Sequence, residues 1–162
     1  MSLPEVAAKR VRSSTKISFS NEDLTWVHYP YNDALLVTLQ IGKFDVKRIL
    51  INKGNSAEII YYGLFKTLGL SHEALLNLES PLYGFSLSSV FLLGRIFLPV
   101  KAGETVHQIE FQVVNVPSPF NAIMGRTWLY QMEAVSSTFH QVLRFPEANT
   151  VRTIWGDQTM AK

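Results

Sequence analysis

The sequence contains no cysteine, so it has neither a disulfide framework nor a thiolate site for zinc. It also lacks a long apolar run. The stretch from Val90 to Leu93 with Gly94, for example, ends at Arg95, far short of the roughly 18 apolar residues that a membrane span needs. The first residues lack the apolar core of a secretory signal peptide. These absences lead us to expect a soluble protein that is intracellular and cytoplasmic and has no membrane partner.

What the chain does have is enough apolar sequence for one core. Of its 162 residues, 47% are hydrophobic and 17% are charged, which fits one globular domain. We expect this domain at residues 21–158, with a basic flexible tail or linker at residues 1–20 and a short C-terminal tail at residues 159–162. The four basic residues of the first twenty are Lys9, Arg10, Arg12 and Lys16.

These four cations and Glu5 give the first twenty residues a charge of +3, which leaves −1 for the rest of a chain whose net charge is +2. Two interpretations remain open. The segment is either a solvated tail or an arm that contacts nucleic acid or an acidic partner.

Alternating apolar and polar residues predict an all-β domain. Leu35 to Ile51 has the pattern of a β-hairpin that turns at Gly42-Lys43 and ends at Asn52. Two short helices are predicted, at Tyr62 to Leu68 and at Thr127 to Met132. Further strands are predicted at Val106 to Val113, Ala122 to Met124, Val135 to Phe139, Val142 to Phe145 and Thr150 to Trp155.

Two short stretches resemble the signatures of retropepsins. Leu50-Ile51-Asn52-Lys53-Gly54 is similar to the first signature, which has two apolar residues, Asp, a small polar residue and Gly. Ile123-Met124-Gly125-Arg126 is similar to the second. Between them, Pro81 to Ser86 resembles the flap that closes over a bound peptide in that family.

The sequence around these signatures resembles that of plant gypsy-type LTR retrotransposon gag-pol polyproteins. The similar segments are Ile17 to Ser20, Asp33 to Leu35, Ser56 to Glu58, Asn121 to Ile123 and Gly156 to Gln158. The resemblance implies a retropepsin-like closed barrel with one or two short helices, active as a homodimer on an extended peptide. It implies no cofactor and no metal, and it assigns substrate binding to Gly84, Phe85 and Ser86.

The resemblance places the degenerate catalytic site at Asn52, Lys53 and Gly54. Retropepsin catalysis uses one aspartate from each subunit, and the pair shares a single proton. Asn52 has no titrating proton and cannot act as a general base. Lys53 introduces a cation where the family has a small polar residue, whereas Gly54 is retained in a turn with no room for a Cβ. Glu58 is expected to support the loop rather than face the substrate.

Three hypotheses about function remain. The chain is a degenerate aspartic protease-like domain without hydrolytic activity, an active aspartic endopeptidase that uses another acid, or a co-opted module for peptide binding or dimerisation. Other chemistry has little support, because the four histidines lie more than thirty residues apart along the chain. Gly84 to Ser88 and Gly54 to Glu58 each lack the final glycine of a nucleophile elbow.

Overall fold

The computed structural model describes residues 16–27, 33–76 and 91–158. A 3₁₀ helix at Asn21–Trp26 precedes the first strand, and another at His72–Ala74 follows the first α-helix. The strands and α-helices are β1 (Leu36–Ile41), β2 (Phe44–Ile51), β3 (Glu58–Tyr61), α1 (Tyr62–Thr67), β4 (Leu92–Ala102), β5 (Thr105–Val114), β6 (Ala122–Met124), α2 (Arg126–Met132), β7 (Val135–Ser137), β8 (Val142–Glu147) and β9 (Thr150–Trp155).

Six strands form a closed barrel in the order β1-β2-β6-β3-β5-β4. The barrel closes where β1 pairs antiparallel with β4, with Ile41 opposite Val100. Two pairings are parallel, β2 with β6 and β3 with β5. The prediction of an all-β closed barrel with a few short helices is therefore confirmed.

The predicted first hairpin is present, with β1 and β2 joined at Gly42-Lys43. Gly42 has φ +61°, a left-handed conformation that a residue without a side chain adopts readily. Leu39, Ile41 and Val46 are buried, which places one face of the hairpin in the core. β2 ends at Ile51, so the next residue, Asn52, lies at the end of the barrel.

The strand predicted at Val106 to Val113 is confirmed as part of β5, where Ile109, Phe111 and Val113 are buried. Both predicted helices form, and Gly69 follows the first with φ +75°. The proposed flap residues Gly84, Phe85 and Ser86 lie outside the described residues.

A second sheet has the order β7-β8-β9. Its inner face adds Leu143 and Phe145 to the barrel core, with Ile154 packed against them. On its outer face, the Arg144 guanidinium forms two hydrogen bonds with the Asp23 carboxylate, at 2.8 and 2.6 Å, and donates to the Ser18 carbonyl oxygen at 2.6 Å. The segment Lys16–Val27, hereafter the N-terminal arm, therefore lies against the second sheet.

The arm overlaps the end of the predicted tail at residues 1–20, of which only residues 16–20 are described. The predicted boundaries at residues 20 and 158 stay predictions. No helix in the described ranges is long and apolar enough to cross a membrane.

Candidate active site

The two stretches that resemble retropepsin signatures meet at one end of the barrel. β2 and β6 run parallel with Ile51 opposite Met124, and the Asn52 N–H donates to the Met124 carbonyl oxygen at 3.0 Å. Asn52 and Met124 are therefore direct neighbours. Because β2 and β6 end together, the residues that follow them share one exit from the sheet.

The half-buried Asn52 side chain is used within its own turn. Its Oδ1 accepts a hydrogen bond from the Gly54 N–H at 3.0 Å, and its Nδ2 donates to Asn55 Oδ1 at 3.5 Å. The Asn55 N–H also donates to the Asn52 carbonyl oxygen at 3.0 Å. An asparagine suits such a turn because its short side chain replaces a backbone acceptor. This arrangement offers a neutral amide at the strand end.

Lys53 and Gly54 form the exposed tip of the loop. A Cβ on Gly54 would meet only Asn52 Oδ1, at 3.1 Å. The tight approach lies instead at Gly125, where a Cβ would be 2.5 Å from the Asn55 carbonyl oxygen and 2.8 Å from that of Ala57. Glycine at position 125 is therefore what lets the loop pack against the start of α2.

Further hydrogen bonds fix the loop on α2. The Arg126 N–H donates to the Asn55 carbonyl oxygen at 2.8 Å, and Thr127 Oγ1 donates to the Ser56 carbonyl oxygen at 3.1 Å. The sequence does not predict these two contacts, because each joins residues about seventy positions apart. Only the similarity of Gly125-Arg126 to the second signature indicates this part of the site.

Glu58 connects β3 to the N-terminus of α2. It is 4% exposed, and its Oε2 accepts hydrogen bonds from the N–H groups of Gly125 and Trp128, both at 3.1 Å. Burial raises the pKa of the Glu58 carboxyl and the charge of Glu110 raises it further, while hydrogen bonds to the carboxylate act in the opposite direction. Glu58 therefore supports the start of α2, and its expected support of the loop stays a prediction.

The other acids near the first hairpin lie elsewhere. Asp45 is exposed in β2 opposite Gln40. Asp33 precedes β1, and its carboxylate accepts a hydrogen bond from Gln158 Nε2 at 2.9 Å rather than one from the loop. Nothing in the described ranges groups three or more histidine, aspartate or glutamate side chains in a way that would hold a metal ion.

The histidines are also dispersed. His72 Nε2 lies 2.8 Å from Tyr62 Oη, and His140 Nδ1 lies 2.7 Å from Ser137 Oγ. His107 lies in β5 near the turn of the β4–β5 hairpin, opposite Val100. None of these three histidines takes part in the hydrogen bonds described for Asn52.

No model of a protein family matches the sequence, and no curated protein matches it. Solved structures do match the fold. The retroviral protease-like domain of Ddi1 from Leishmania major is similar over 76% of this chain and 93% of its own, with a TM-score of 0.57 and 18% identity.

EIAV protease, solved with the inhibitor HBY-793, is similar over 68% of this chain and 99% of its own, with a TM-score of 0.51 and 14% identity. A retropepsin-like aspartic protease from Rickettsia conorii is similar over 63% of this chain and 75% of its own, with a TM-score of 0.50 and 14% identity. The chain therefore has the fold of retropepsin-like aspartic protease domains.

Proposed function

We propose that this chain is a degenerate retropepsin-like domain that does not hydrolyse peptides, and that it derives from a plant gypsy-type LTR retrotransposon gag-pol polyprotein. The retropepsin-like fold supports the first part. The plant origin is supported by the short segments around the signatures, from Ile17 to Gly156-Asp157-Gln158.

One observation carries the proposed loss of hydrolysis. The side chain at the end of β2, beside Met124-Gly125, is the amide of Asn52, and its hydrogen bonds go to Gly54 and Asn55. An aspartic protease needs two carboxyls that share a proton, one to activate water and one to protonate the carbonyl. An amide can donate and accept hydrogen bonds, but it has no proton to exchange in that cycle.

Glu58 is a poor substitute for the missing acid, although its pKa is raised. Its carboxylate is buried and already accepts two backbone hydrogen bonds at the start of α2. To act on water or a peptide, it would have to leave the N–H groups of Gly125 and Trp128 without an acceptor, which costs on the order of 1–3 kcal/mol each. Its position suits support of the loop.

The proposed domain is a homodimer that retains a groove for an extended peptide, held by strand-like hydrogen bonds. Support for the dimer is the resemblance together with the exposed position of Lys53 and Gly54 at the loop tip. The peptide-holding role includes Gly84, Phe85 and Ser86 of the proposed flap. Binding by backbone hydrogen bonds does not require the catalytic carboxyls, so it is compatible with Asn52.

Cleavage of a pool of apolar-rich peptides tests the proposal. The unchanged protein should cleave nothing between roughly pH 3 and 7, the range in which coupled carboxyls titrate. Asn52→Asp should introduce cleavage that pepstatin inhibits. The matched control is Asn55→Asp, which adds the same charge three residues further along the same loop and should stay inactive. Pepstatin-sensitive cleavage by the unchanged protein would contradict the proposal.

A further inference from the structure

A groove of about 360 Å³ is lined by residues from β3, β4, β5 and α2. Its lining combines two carboxyl groups, three carboxamides and one aromatic ring, which belong to Glu58, Glu110, Gln108, Gln112, Gln131 and Phe97. Asn52, Lys53 and Gly54 are not among the lining residues, so the groove is a different site from the candidate catalytic position.

The groove has a negative charge. Burial raises the pKa of Glu58, and the charge of Glu110 raises it further. Among the described residues that line the groove there is no lysine and no arginine. The neighbouring Arg95 contacts only one oxygen of Glu110, Oε2, at 3.4 Å, and the Glu110 side chain is 41% exposed. The second carboxylate oxygen is therefore available to a cation that enters the groove.

Gln112 adds an acceptor that lacks a donor. Its Oε1 is buried and has no hydrogen-bond partner in the part of the chain that the structure describes. Buried side-chain acceptors nearly always have a partner. The last torsion of a glutamine side chain is broad, so the amide can turn this oxygen into the groove. Gln112 and Glu110 are two positions apart on β5, which places both acceptors on the same face of the strand.

Phe97 provides a flat surface beside these acceptors. It lies opposite Glu110 in the β4–β5 hairpin and is 48% exposed. The guanidinium carbon of Arg95 is 5.9 Å from the centre of the Phe97 ring, so this ring already contacts one guanidinium group. A guanidinium is planar, carries five N–H donors and no acceptor, and stacks on aromatic rings. An ammonium group is a compact point charge and matches this surface less well.

We propose that the groove binds the guanidinium group of an arginine side chain from a peptide or protein partner. The guanidinium donates hydrogen bonds to the Glu110 carboxylate and to Gln112 Oε1, and its plane stacks on the Phe97 ring. The carboxamide oxygens of Gln108 and Gln131 are further acceptors. The site makes no use of Asn52, so it is independent of the proposed loss of hydrolysis.

Three small probes test the ligand chemistry at constant ionic strength. The amide of Nα-acetyl-arginine should bind with a dissociation constant on the order of 1 mM, as measured by NMR chemical-shift changes in β5 and α2. The corresponding citrulline amide has the same shape without the charge and should bind about tenfold more weakly. The corresponding lysine amide keeps the charge without the planar donors and should also bind more weakly. Equal binding of either control probe would overturn the proposal.

Two variants test the location of the site. Glu110→Gln removes the charge, and Gln112→Leu removes the acceptor while the ion pair of Arg95 with Glu110 stays in place. Each should weaken binding of the arginine probe about tenfold. Glu73→Gln is the matched control, because Glu73 is an exposed acid in the 3₁₀ helix at His72–Ala74, and its affinity should equal that of the unchanged protein. Circular dichroism verifies that each variant is folded.

The outcomes also separate this inference from the proposed function. An arginine probe that shifts no resonance of β5 or α2, or whose binding neither variant weakens, would overturn the groove as its site. Cleavage of peptides by the unchanged protein would contradict the proposed function, whereas the binding of the arginine probe would still support the groove.

Discussion

On the proposed function, Asn52 and Lys53 depart from the retropepsin pattern in different ways. The Asn52 amide has no titrating proton, whereas the Lys53 ammonium group places a positive charge beside the same strand end. In Asn52→Asp, the neighbouring cation would favour the charged form of the new carboxyl and lower both apparent pKa values of the shared-proton pair. The window in which one carboxyl is protonated would then move to lower pH.

The double variant Asn52→Asp with Lys53→Thr should therefore be more active than Asn52→Asp, by roughly tenfold near pH 6, because one unit of pKa changes the protonated fraction tenfold. Its pH optimum should also be less acidic. The measurement is the rate of peptide cleavage across the acidic range. Lys53→Thr alone is the control and should be inactive. An inert double variant that is folded and dimeric would show that the loss extends beyond these two positions.

Gly125 shows how one residue sets the distance between two elements. Gly125→Ala should lower the free energy of unfolding by about 1–3 kcal/mol, because its Cβ would overlap backbone oxygens that cannot rotate away. Gly63→Ala is the control. Gly63 lies within α1 with nothing within 4 Å of a new Cβ, so the change should stabilise by about 0.5–1 kcal/mol. Chemical denaturation measures both, and equal stabilities would contradict the close approach at Gly125.

At the scale of single residues, the sequence shows which positions matter but not which contacts make them matter. The cluster of turn formers at Asn52 to Ser56 predicts a tight loop because turn propensity is local. The reason for Gly125 is not predictable in the same way, since the atoms that exclude a Cβ belong to Asn55 and Ala57. Such clearances depend on tertiary packing, which residue type does not encode by itself.

The elements follow local pattern closely, but their pairing does not. The first hairpin and β5 are predictable because a period of two in hydrophobicity is visible in a few residues. The parallel pairings of β2 with β6 and of β3 with β5 join strands separated by long stretches of chain. The resemblance to retropepsins implied a closed barrel, whereas alternation alone would not distinguish it from another β fold.

Glu58 acts at the level of elements, as a cap that β3 supplies to α2. In an ordinary capping box, the N-cap and third helical residues satisfy each other's N–H groups. Here one carboxylate accepts from both, since Gly125 is the N-cap and Trp128 is the third residue of α2. The helix start is thereby fixed to the strand that follows the candidate active-site loop.

This cap leads to a prediction about pH. Because the folded-state pKa of Glu58 is raised, the folded state binds its proton more tightly than the unfolded state does. Its contribution to stability is complete below the ordinary pKa and is lost as pH rises through the raised value. Glu58→Gln should remove this loss of stability. The difference in unfolding free energy between the unchanged protein and Glu58→Gln should therefore change as pH rises from the ordinary pKa through the raised pKa. Urea denaturation at a series of pH values measures it.

Glu58→Leu tests the two capping hydrogen bonds separately from the titration of the carboxyl. It leaves two buried N–H groups without an acceptor and should destabilise by about 2–4 kcal/mol at neutral pH. Glu73→Gln is the matched control, because Glu73 is an exposed acid in the 3₁₀ helix at His72–Ala74, and its change should stay within about 0.5 kcal/mol. A Glu58→Leu protein as stable as Glu58→Gln would contradict the capping role.

Across the whole molecule, contacts between the two ends of the chain join the arm, the barrel and the second sheet. Gln158 donates to Asp33, 125 residues earlier, and Arg144 binds Asp23, 121 residues earlier. In the sequence, the segments around Ser18, Asp33 and Gln158 are marked only by their similarity to gypsy-type polyproteins. Their partners were not predictable, because contacts at such separations leave no periodic pattern.

The Arg144–Asp23 pair is the strongest of these contacts, since both side chains are 13% exposed and are joined at 2.6 Å. The Arg144 hydrogen bonds, followed by that from the Ser20 N–H, lower the pKa of Asp23 from 3.8 to about 2. A lowered acid pKa contributes stability above the unfolded value, and this stability is lost as pH falls from about 4 to about 2. The size expected from the shift is about 2 kcal/mol at neutral pH.

Asp23→Asn should therefore destabilise the protein by about 1–3 kcal/mol at pH 7, and the difference from the unchanged protein should disappear near pH 2. The exposed pair of Lys101 and Glu104, at 3.9 Å, is the control, and Glu104→Gln should cost less than about 1 kcal/mol. Hydrogen exchange adds a local readout. If the pair holds the arm, Asp23→Asn should accelerate exchange in residues 16–27 more than in β5, because the arm can leave the second sheet while the barrel stays folded. Equal acceleration in both segments would mean that the pair stabilises the whole domain and that the arm does not detach by itself.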